Sequence, residues 1–401
     1  MALQSAFTLT ANEIYNTLAN MIISQQVFAD NLSKHQTLVD KARADGGLYG
    51  DTKLYYATDV LKSSAWGNDS EASNLLSLDR AQKPAVQAIK LDIFRQIRLT
   101  VDNYLTKRAF ADEGTFASFN GVMLGWMQET KRVYDGTLYN VFIGTTEATG
   151  TYENPENPSQ TLTNPYNKQA VTIDIDADSN SAGENIAKAM ADLFTDMADY
   201  NRAYNDYGYL RSYGDADIKV VWNADYYNQV KKIDLPSIFH DDALQSTFAG
   251  DVLAPRYFGT VITSTNVSTY SDSTPTTGKP IDSDTGAYTP GVGNANGTLR
   301  AVIEKVVTVG GTTYHVFPGD EIPSGSTIGA SSTNFLYGEI YIEKSDVICK
   351  VLVKYPPYMS AFETGTSFFN PRSLTENHYL TFGHNTLKYL KNYPFITVKA
   401  I

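Results

Sequence analysis

The hydrophobic residues between positions 112 and 144 recur in steps of three and four, which predicts one apolar stripe along an α-helix. Asp112 is suited to cap the start of this helix, and Glu113 suits the positive end of its dipole. Such a helix has about 30 residues, whereas the average helix has about 12. Its stripe carries no histidine, cysteine or carboxylate pair and consists of Phe116, Phe119, Met123, Trp126, Met127, Val133, Tyr134, Leu138, Val141 and Phe142.

A long β-strand is predicted just before this helix, because apolar and polar residues alternate between positions 89 and 102. The usual strand has about five or six residues, so this one is unusually long. Arg95 interrupts the apolar side and Phe94 the polar side. A bulge and a contact with another chain would each explain the interruption. The apolar side consists of Ile89, Leu91, Ile93, Ile97, Leu99 and Val101.

The rest of the chain mixes helices and strands. A helical pattern occupies 14–28, and a second begins at a capping box at Ser181 and buries Ile186, Met190, Leu193, Phe194 and Met197. Strands are predicted at 171–176, 218–223 (followed by a short helix), 340–355 and in the tail, where they return to an earlier sheet. Gly310-Gly311 indicates a hairpin. Residues 263–298 are dominated by small and polar residues, which is typical of a loop or surface insertion.

Composition and charge exclude several classes of protein. The single cysteine, Cys349, rules out an internal disulfide framework and is expected to be a buried, inert thiol. No leader sequence and no membrane-spanning run is recognised, so we expect a protein folded in a cytosol. The net charge of −12 argues against a protein that grips nucleic acid through its whole surface.

We predict no catalytic, cofactor-binding or metal-binding residues. The phosphate-loop, nucleophile-elbow and HExxH motifs are absent, and the histidines are scattered. Asp174, Asp176 and Asp178 have the spacing that opens a calcium loop, but Ser179 and Asn185 stand where such a loop needs glycine and glutamate. A strand end that leads into a capped helix explains these acids better.

Basic residues are concentrated in one stretch that contains few acids. Three interpretations remain open: nucleic-acid binding, a solvated face, and pairing with acidic patches on neighbouring copies, which the acidic remainder of the chain favours. The basic residues are Arg80, Lys83, Lys90, Arg95, Arg98, Lys107 and Arg108.

The order of these parts resembles the tailed-bacteriophage major capsid protein family, with its Hong Kong 97-like fold. Residues 83–110, KPAVQAIKLDIFRQIRLTVDNYLTKRAF, resemble the return strand of that family's extended loop. Residues 112–142, DEGTFASFNGVMLGWMQETKRVYDGTLYNVF, resemble its spine helix, and IKVVWNADYYNQVKKI (218–233) resembles an axial-domain strand and helix. The resemblance implies an α+β fold without catalytic function.

The resemblance also implies a division of the chain. We expect an N-terminal arm, an extended β-ribbon loop, a peripheral domain with the spine helix, an α/β axial domain, an inserted β-rich subdomain and return strands. Their expected ranges are 1–50, 51–104, 105–180, 181–259, 260–335 and 336–401.

The implied function is a structural subunit that self-assembles, through hexamers and pentamers, into the icosahedral head shell around double-stranded DNA. The chain lacks a long helical scaffolding segment at its start, so a separate scaffolding protein or earlier processing is expected, with a portal and possible decoration proteins as further partners. The shell would enclose DNA without specific binding, use no cofactor or membrane, and assemble in the host bacterial cytoplasm. The candidate intersubunit contacts are Trp66, Arg80, Lys83, Arg95, Arg98 and Arg108.

Three other interpretations stay open at this point: another virion protein such as a tail-tube subunit, a surface carbohydrate-binding or hydrolytic protein, and an unassigned cytosolic enzyme. Gly121 and Gly125 have two interpretations. They could allow another backbone to approach the helix closely, or they could simply weaken the helix by about 1 kcal/mol per residue.

Overall fold

The structure is a computed structural model, and the residues it describes are 38–45, 51–63, 78, 80–102, 113–146, 151–153, 161–163, 165–176, 182–229, 250–264, 298–360 and 364–401. The predicted helix at 14–28, Trp66, Arg108, the caps Asp112 and Ser181, and residues 265–297 of the polar stretch lie outside these residues. Within 113–124, 151–153 and 161–163 only the backbone is described.

The described helices are α1 (Leu38–Ala42), α2 (Glu113–Gly144), α3 (Ala182–Ala198) and α4 (Ala224–Gln229). The first strands are β1 (Arg43–Asp45), β2 (Thr52–Ala57), β3 (Ala85–Asp102), β4 (Thr151–Glu153), β5 (Thr161–Thr163), β6 (Ala170–Ile173), β7 (Lys219–Asn223), β8 (Asp251–Leu253) and β9 (Gly259–Val261). The later strands are β10 (Leu299–Ala301), β11 (Lys305–Val309), β12 (Thr312–Val316), β13 (Ile340–Glu343), β14 (Val347–Leu352), β15 (Tyr358–Ser360), β16 (Thr364–Asn370), β17 (Thr375–Asn385) and β18 (Phe395–Ala400).

These strands form five sheets. The largest has the order β1-β15-β17-β3-β2, with β16 also paired to β17, and the second has the order β6-β18-β14-β7-β8. A three-stranded sheet has the order β10-β13-β9, and β11-β12 and β4-β5 are separate pairs. The mixed α+β class and the return of the tail to earlier sheets are therefore confirmed.

The chain divides into two compact units, each assembled from three stretches. The first unit comprises 1–52, 90–139 and 357–386, and the second comprises 53–89, 140–356 and 387–401. The consecutive domain boundaries expected from the sequence stay a prediction.

In the first unit, α2 packs against the sheet of β3 and β17. Tyr134 meets the ring of Phe382 edge-on, with centroids 5.9 Å apart, and Leu138 of the helix and Leu380 of β17 are both buried. The predicted apolar stripe is only partly right. Val133 is 36% exposed, whereas two charged residues of the same helix, Lys131 and Asp135, are buried.

The buried charges of α2 are satisfied inside the first unit. Lys131 Nζ donates to Asp135 Oδ2 at 2.8 Å, and Tyr358 Oη donates to Asp135 Oδ1 at 2.5 Å. Arg43 lies 3.9 Å from the same carboxylate. A buried carboxylate with this many partners is stable only while all of them stay in place, because a lone buried charge is very costly.

In the second unit, α3 covers the five-stranded sheet. All five residues predicted for its apolar face are buried, and they pack with Trp222, Val351 and Ile396 of the sheet. Cys349 lies in the same core, as predicted, and burial raises the pKa of its thiol. The predicted strand and short helix at 218–233 are β7 and α4.

A separate hydrophobic cluster lies within the second unit, among strands from Gly259 to Glu343. The hairpin of β11 and β12 turns at Gly310 (φ +59°) and Gly311 (φ +83°), as expected for a two-residue turn whose central residues both have positive φ. Val307 and Val316 of this hairpin belong to one buried cluster with Phe335 and Ile342.

The last residues of α2, from 140 onward, belong to the second unit, and Gly144 is packed tightly within it. A Cβ at this position would overlap the carbonyl oxygen of Tyr257, so only glycine allows the helix end to approach so closely. The following residue, Thr145, pairs with Gly259, and Thr146 N–H donates to the Gly259 carbonyl at 2.8 Å.

We predict that Gly144→Ala lowers the free energy of unfolding by about 1–3 kcal/mol, because the added methyl group must push the Tyr257 backbone away. Gly125→Ala is the matched control in the same helix. A Cβ at Gly125 has nothing within 4 Å, so alanine should add about 0.5–1 kcal/mol through its higher helix propensity. Urea denaturation followed by circular dichroism measures both, and equal effects would contradict the close approach.

Candidate functional site

The structure describes four of the six predicted contact residues. Arg80 and Lys83 are exposed in the second unit, in the segment that precedes β3. Arg95 and Arg98 lie on β3 in the first unit, where Arg98 is exposed and Arg95 is half-buried. A spacing of three residues on a strand places Arg95 and Arg98 on opposite faces, so they do not form one patch.

Arg95 is held by contacts within its own unit. Its guanidinium lies 4.8 Å from the centre of the Tyr134 ring, and Nη1 donates to Tyr134 Oη at 3.4 Å. Tyr134 Oη in turn is 2.9 Å from Nε2 of His384. Burial lowers the pKa of this histidine. Strand pairing is regular at Phe94 and Arg95, and the bulge of β3 lies instead at Asp92. The packing on Tyr134 therefore explains the interrupted pattern.

Arg98 belongs to the other, polar face of the first unit's sheet. Its Nε donates to Gln96 Oε1 at 3.0 Å. The neighbouring cross-strand pairs are also hydrogen-bonded: Gln96 Nε2 to Thr381 Oγ1 at 3.2 Å, and Thr100 Oγ1 to Asn377 Oδ1 at 2.6 Å. These hydrogen bonds connect the polar side chains of this face within the unit.

The ribbon, which we define as residues 51–89, exposes an unusual number of large apolar side chains. Single exposed apolar residues are ordinary, but a group within one segment is typical of a contact surface. On the paired strands β2 and β3, Tyr56 is 66% exposed and Val86 48%. The full set is Leu54, Tyr56, Val60, Leu61, Leu78 and Val86.

An ion pair fixes the ribbon where the chain leaves β2. Asp59 Oδ2 accepts a hydrogen bond from Arg202 Nη1 at 2.6 Å, and Oδ1 accepts the N–H groups of Leu210 (3.0 Å) and Val60 (2.9 Å). Burial raises the pKa of Asp59, but these hydrogen bonds outweigh burial and hold the pKa below its usual value. The carboxylate is therefore ionised and tied to the 199–213 segment near neutral pH.

A second arginine and a glutamine secure the ribbon from two sides. Arg211 Nη2 donates to the Thr58 carbonyl and to Asn392 Oδ1, both at 2.8 Å. On β3, Gln87 Nε2 donates to the Tyr389 carbonyl at 2.8 Å, and its Oε1 accepts the N–H of Lys391 at 2.9 Å. Both strands at the base of the ribbon are thus bonded to the body of the second unit. We call Asp59, Gln87, Arg202 and Arg211 the clamp.

A fully buried carboxylate, Asp206, contacts the same two tail residues as Gln87 of the clamp. It accepts hydrogen bonds from Tyr389 Oη at 2.5 Å and Gln169 Nε2 at 3.4 Å, and its own N–H donates to the Lys391 carbonyl at 2.8 Å. Burial raises the pKa of Asp206 to about 6. Tyr389, Lys391 and Gln169 each lower this pKa, but burial has the larger effect. Asp206 therefore links the tail strand region to the 199–213 segment.

The clamp residues were not predicted from the sequence. They lie in loops and at a strand end, without periodicity, and each binds a residue far away in the chain. A run at 199–217 that is rich in tyrosine and aspartate indicates a polar contact region, but it does not predict which side chains contact each other.

Among the described residues no group of acids, histidines and cysteines could hold a metal ion, and in that part of the chain no helix is long and apolar enough to cross a membrane. Asp174 Oδ1 accepts the N–H of Asp176 at 3.1 Å, as in an ordinary turn that follows a strand.

No protein-family model matches the chain, and no curated protein matches its sequence. Solved structures do match. A chain in the capsid structure of Staphylococcus phage Andhra matches with a TM-score of 0.51 and 11% identity, over 90% of this chain and 83% of that chain. A chain in the structure of the head fiber and inner core protein gp22 of native bacteriophage P68 gives 0.54 and 12%, over 90% and 84%. The resemblance to phage capsid proteins is thus confirmed at the level of the fold.

We predict that Asp206 makes the protein less stable as the pH rises from 4 to 7. Its pKa is about 6 when folded and near 3.8 when unfolded, so between these values only the folded state keeps the proton. Stability falls with pH in that range, by about 3 kcal/mol in total. Asp206→Asn should lose this dependence.

The measurement is the free energy of unfolding of parent and Asp206→Asn at several pH values, from urea denaturation. Asp217→Asn, which removes an exposed carboxylate, is the control for the change of charge. The difference between Asp206→Asn and the parent should grow with pH. Parallel pH profiles for all three proteins would show that Asp206 does not hold a proton in the fold.

Proposed function

We propose that this protein is a major capsid protein that self-assembles into the icosahedral head shell of a tailed double-stranded DNA bacteriophage. The observation that carries the proposal is the likeness of fold, over 90% of the chain, to a chain in a phage capsid structure. The chain's role is structural rather than catalytic, and its function depends on contacts with other copies.

The ribbon is the proposed reach onto a neighbouring subunit. Its base is bonded on both strands, so this base is ordered before the ribbon binds, which lowers the entropic cost of association. Its exposed apolar side chains would be buried in the contact, and its basic residues would orient the two copies as they approach. The proposed intersubunit contacts are Trp66, Arg80, Lys83, Arg95, Arg98 and Arg108.

An acidic surface in the second unit is the proposed counterpart on the neighbour. Asp192 and Asp199 are exposed along α3 and after its end, as is Asp196, whose carboxylate also lies 3.4 Å from Lys168 Nζ. Ser212 Oγ donates to the Ala198 carbonyl at 2.6 Å, which brings the exposed acids of 215–217 close to the same helix end. Opposite charges on two such surfaces guide association and exclude wrong partners.

The finer organisation is part of the proposal. Hexamers and pentamers would build the shell, with a scaffolding protein, a portal and possible decoration proteins as partners, and assembly would occur in the host bacterial cytoplasm. The net charge of −12 suits a container that encloses DNA without binding it specifically. The proposed roles, in order, are N-terminal arm (1–50), extended β-ribbon loop (51–104, which includes the ribbon), peripheral domain (105–180), axial domain (181–259), β-rich insertion (260–335) and return strands (336–401).

We predict that the overexpressed protein sediments in part as shells, or as rings of five or six subunits, in velocity sedimentation with negative-stain imaging. Closed shells would exclude a tail-tube role. A 44.2 kDa monomer that persists at high concentration, alone and with the candidate scaffolding protein, would contradict the proposal.

We predict that the double variant Arg80→Glu/Lys83→Glu lowers the assembled fraction about tenfold or more at low salt, since each reversal places like charges together across the contact. Both side chains are exposed, so the thermal midpoint of the dispersed protein should not change. The charge-preserving variant Arg80→Lys/Lys83→Arg is the control. Equal assembly of both variants would show that these charges do not contribute.

A further inference from the structure

The edge strand β16 has an unusual position in the first unit. All seven of its residues pair with β17, from Thr364 opposite Thr381 to Asn370 opposite Thr375. Among the described strands none pairs with its other edge. Thr364 to Phe369 are all exposed, so neither face of the strand is covered by the described part of the chain.

This edge lacks the features that normally prevent strand pairing. Natural edge strands carry charges, prolines or bulges, because a free edge is a template for another strand. The sequence TGTSFFN has no charge and no proline, and its register with β17 is unbroken. Its aromatic residues are exposed as well, Phe368 at 62% and Phe369 at 48%. An edge of this kind is expected to be covered by a second strand.

The turn at the end of the hairpin fixes the strand in advance. Leu374 has φ +55°, a left-handed conformation that is costly for leucine. The turn is closed by Arg372 N–H, which donates to Asn370 Oδ1 at 3.1 Å, and by a 2.7 Å contact between the hydroxyls of Ser373 and Thr375. A strand held in this way needs little ordering when it pairs.

We propose that β16 pairs antiparallel with β16 of a second copy, about a two-fold axis at Ser367. In this register all seven residues of the strand are paired. A shift of the second strand by two residues keeps each side chain on the same face of the sheet but leaves residues at the ends unpaired. Phe369 then lies opposite Gly365 of the other copy, and Phe368 lies opposite Thr366. The sequence is therefore complementary to itself, as a two-fold contact requires.

The glycine supports this register. A Cβ at Gly365 would have nothing within 4 Å, so there is open space above this residue. An aromatic ring on the opposite strand fills such a space and compensates for the weak strand propensity of glycine. Within one chain Gly365 pairs with Leu380, and its other side is left for Phe369 of the second copy.

The inference rests on the proposed function, since a closed icosahedral shell contains two-fold axes at which two copies meet. It adds a specific contact that the ribbon does not provide. It also names the partner of this edge as a second copy of the same chain.

Cysteine crosslinking tests the register. In Ser367→Cys the two new thiols face each other at the axis, within the distance that a disulfide requires. In the control Thr364→Cys they lie at opposite ends of the paired strands, about 20 Å apart. The native Cys349 is buried and gives no background. Assembled and unassembled fractions are separated, oxidised mildly and analysed on non-reducing gels.

We expect about tenfold more disulfide-linked dimer from Ser367→Cys than from Thr364→Cys, because only the first pair meets disulfide geometry. Ser367→Cys/Gly365→Val should lose most of this dimer, since valine occupies the space of the second copy's Phe369. Valine has open space there within one chain, so the thermal midpoint of the dispersed protein should not fall.

The two hypotheses fail in different ways. If Ser367→Cys forms particles without a disulfide-linked dimer, or if both cysteine variants give equal dimer, the pairing is overturned and the capsid function stands. If Ser367→Cys forms the dimer without any particles, the result supports the pairing and counts against the capsid function. Dimer yield that is unaffected by Gly365→Val would also overturn this register.

Discussion

The end of the long helix α2 depends on one buried lysine. Lys350 Nζ donates to the Thr145 carbonyl at 2.5 Å and to Thr397 Oγ1 at 2.6 Å, and it lies 4.0 Å from the centre of the Phe395 ring. A helix end buried without such donors would cost about 1–3 kcal/mol per carbonyl. Because Lys350 is on β14 and Thr397 on β18, one side chain attaches the helix end to two strands of the five-stranded sheet.

That lysine also shows why burial and charge must be considered together. Burial lowers the pKa of Lys350 well below its ordinary value, and the nearby Lys399 lowers it further. The amine is held by two oxygen acceptors and a ring face, without a carboxylate. A neutral amine satisfies the same acceptors at a smaller desolvation cost than an ammonium group. The second unit thus closes its core around the end of α2 with hydrogen bonds, whereas the first unit uses the charged pair of Lys131 and Asp135.

The sequence predicted those parts of the fold in which one local pattern determines the outcome. The apolar face of α3 and the Gly310-Gly311 hairpin were right because periodicity and positive φ act over a few residues. Lys131 and Asp135 show the limit. Their spacing of four is typical of an exposed ion pair on a helix, and their burial depends on distant partners such as Tyr358, more than two hundred positions later. The clamp of Arg202 and Arg211 depends in the same way on distant loop residues.

In the proposed capsid subunit, the contrast between paired charged groups and exposed apolar groups would limit premature aggregation before assembly. At the base of the ribbon, charged groups find partners within the chain, as Asp59 does with Arg202, so they do not compete with contacts between copies. Among the described residues, the surfaces proposed for contact include the apolar side chains on the ribbon and one uncharged edge strand. A stable interface buries roughly 1,200–2,000 Å² and uses about 20–30 residues on each side, which is more than the seven residues of β16. A closed, symmetric shell would engage many such contacts together, so contacts that are weak one by one would favour the complete assembly over small random aggregates.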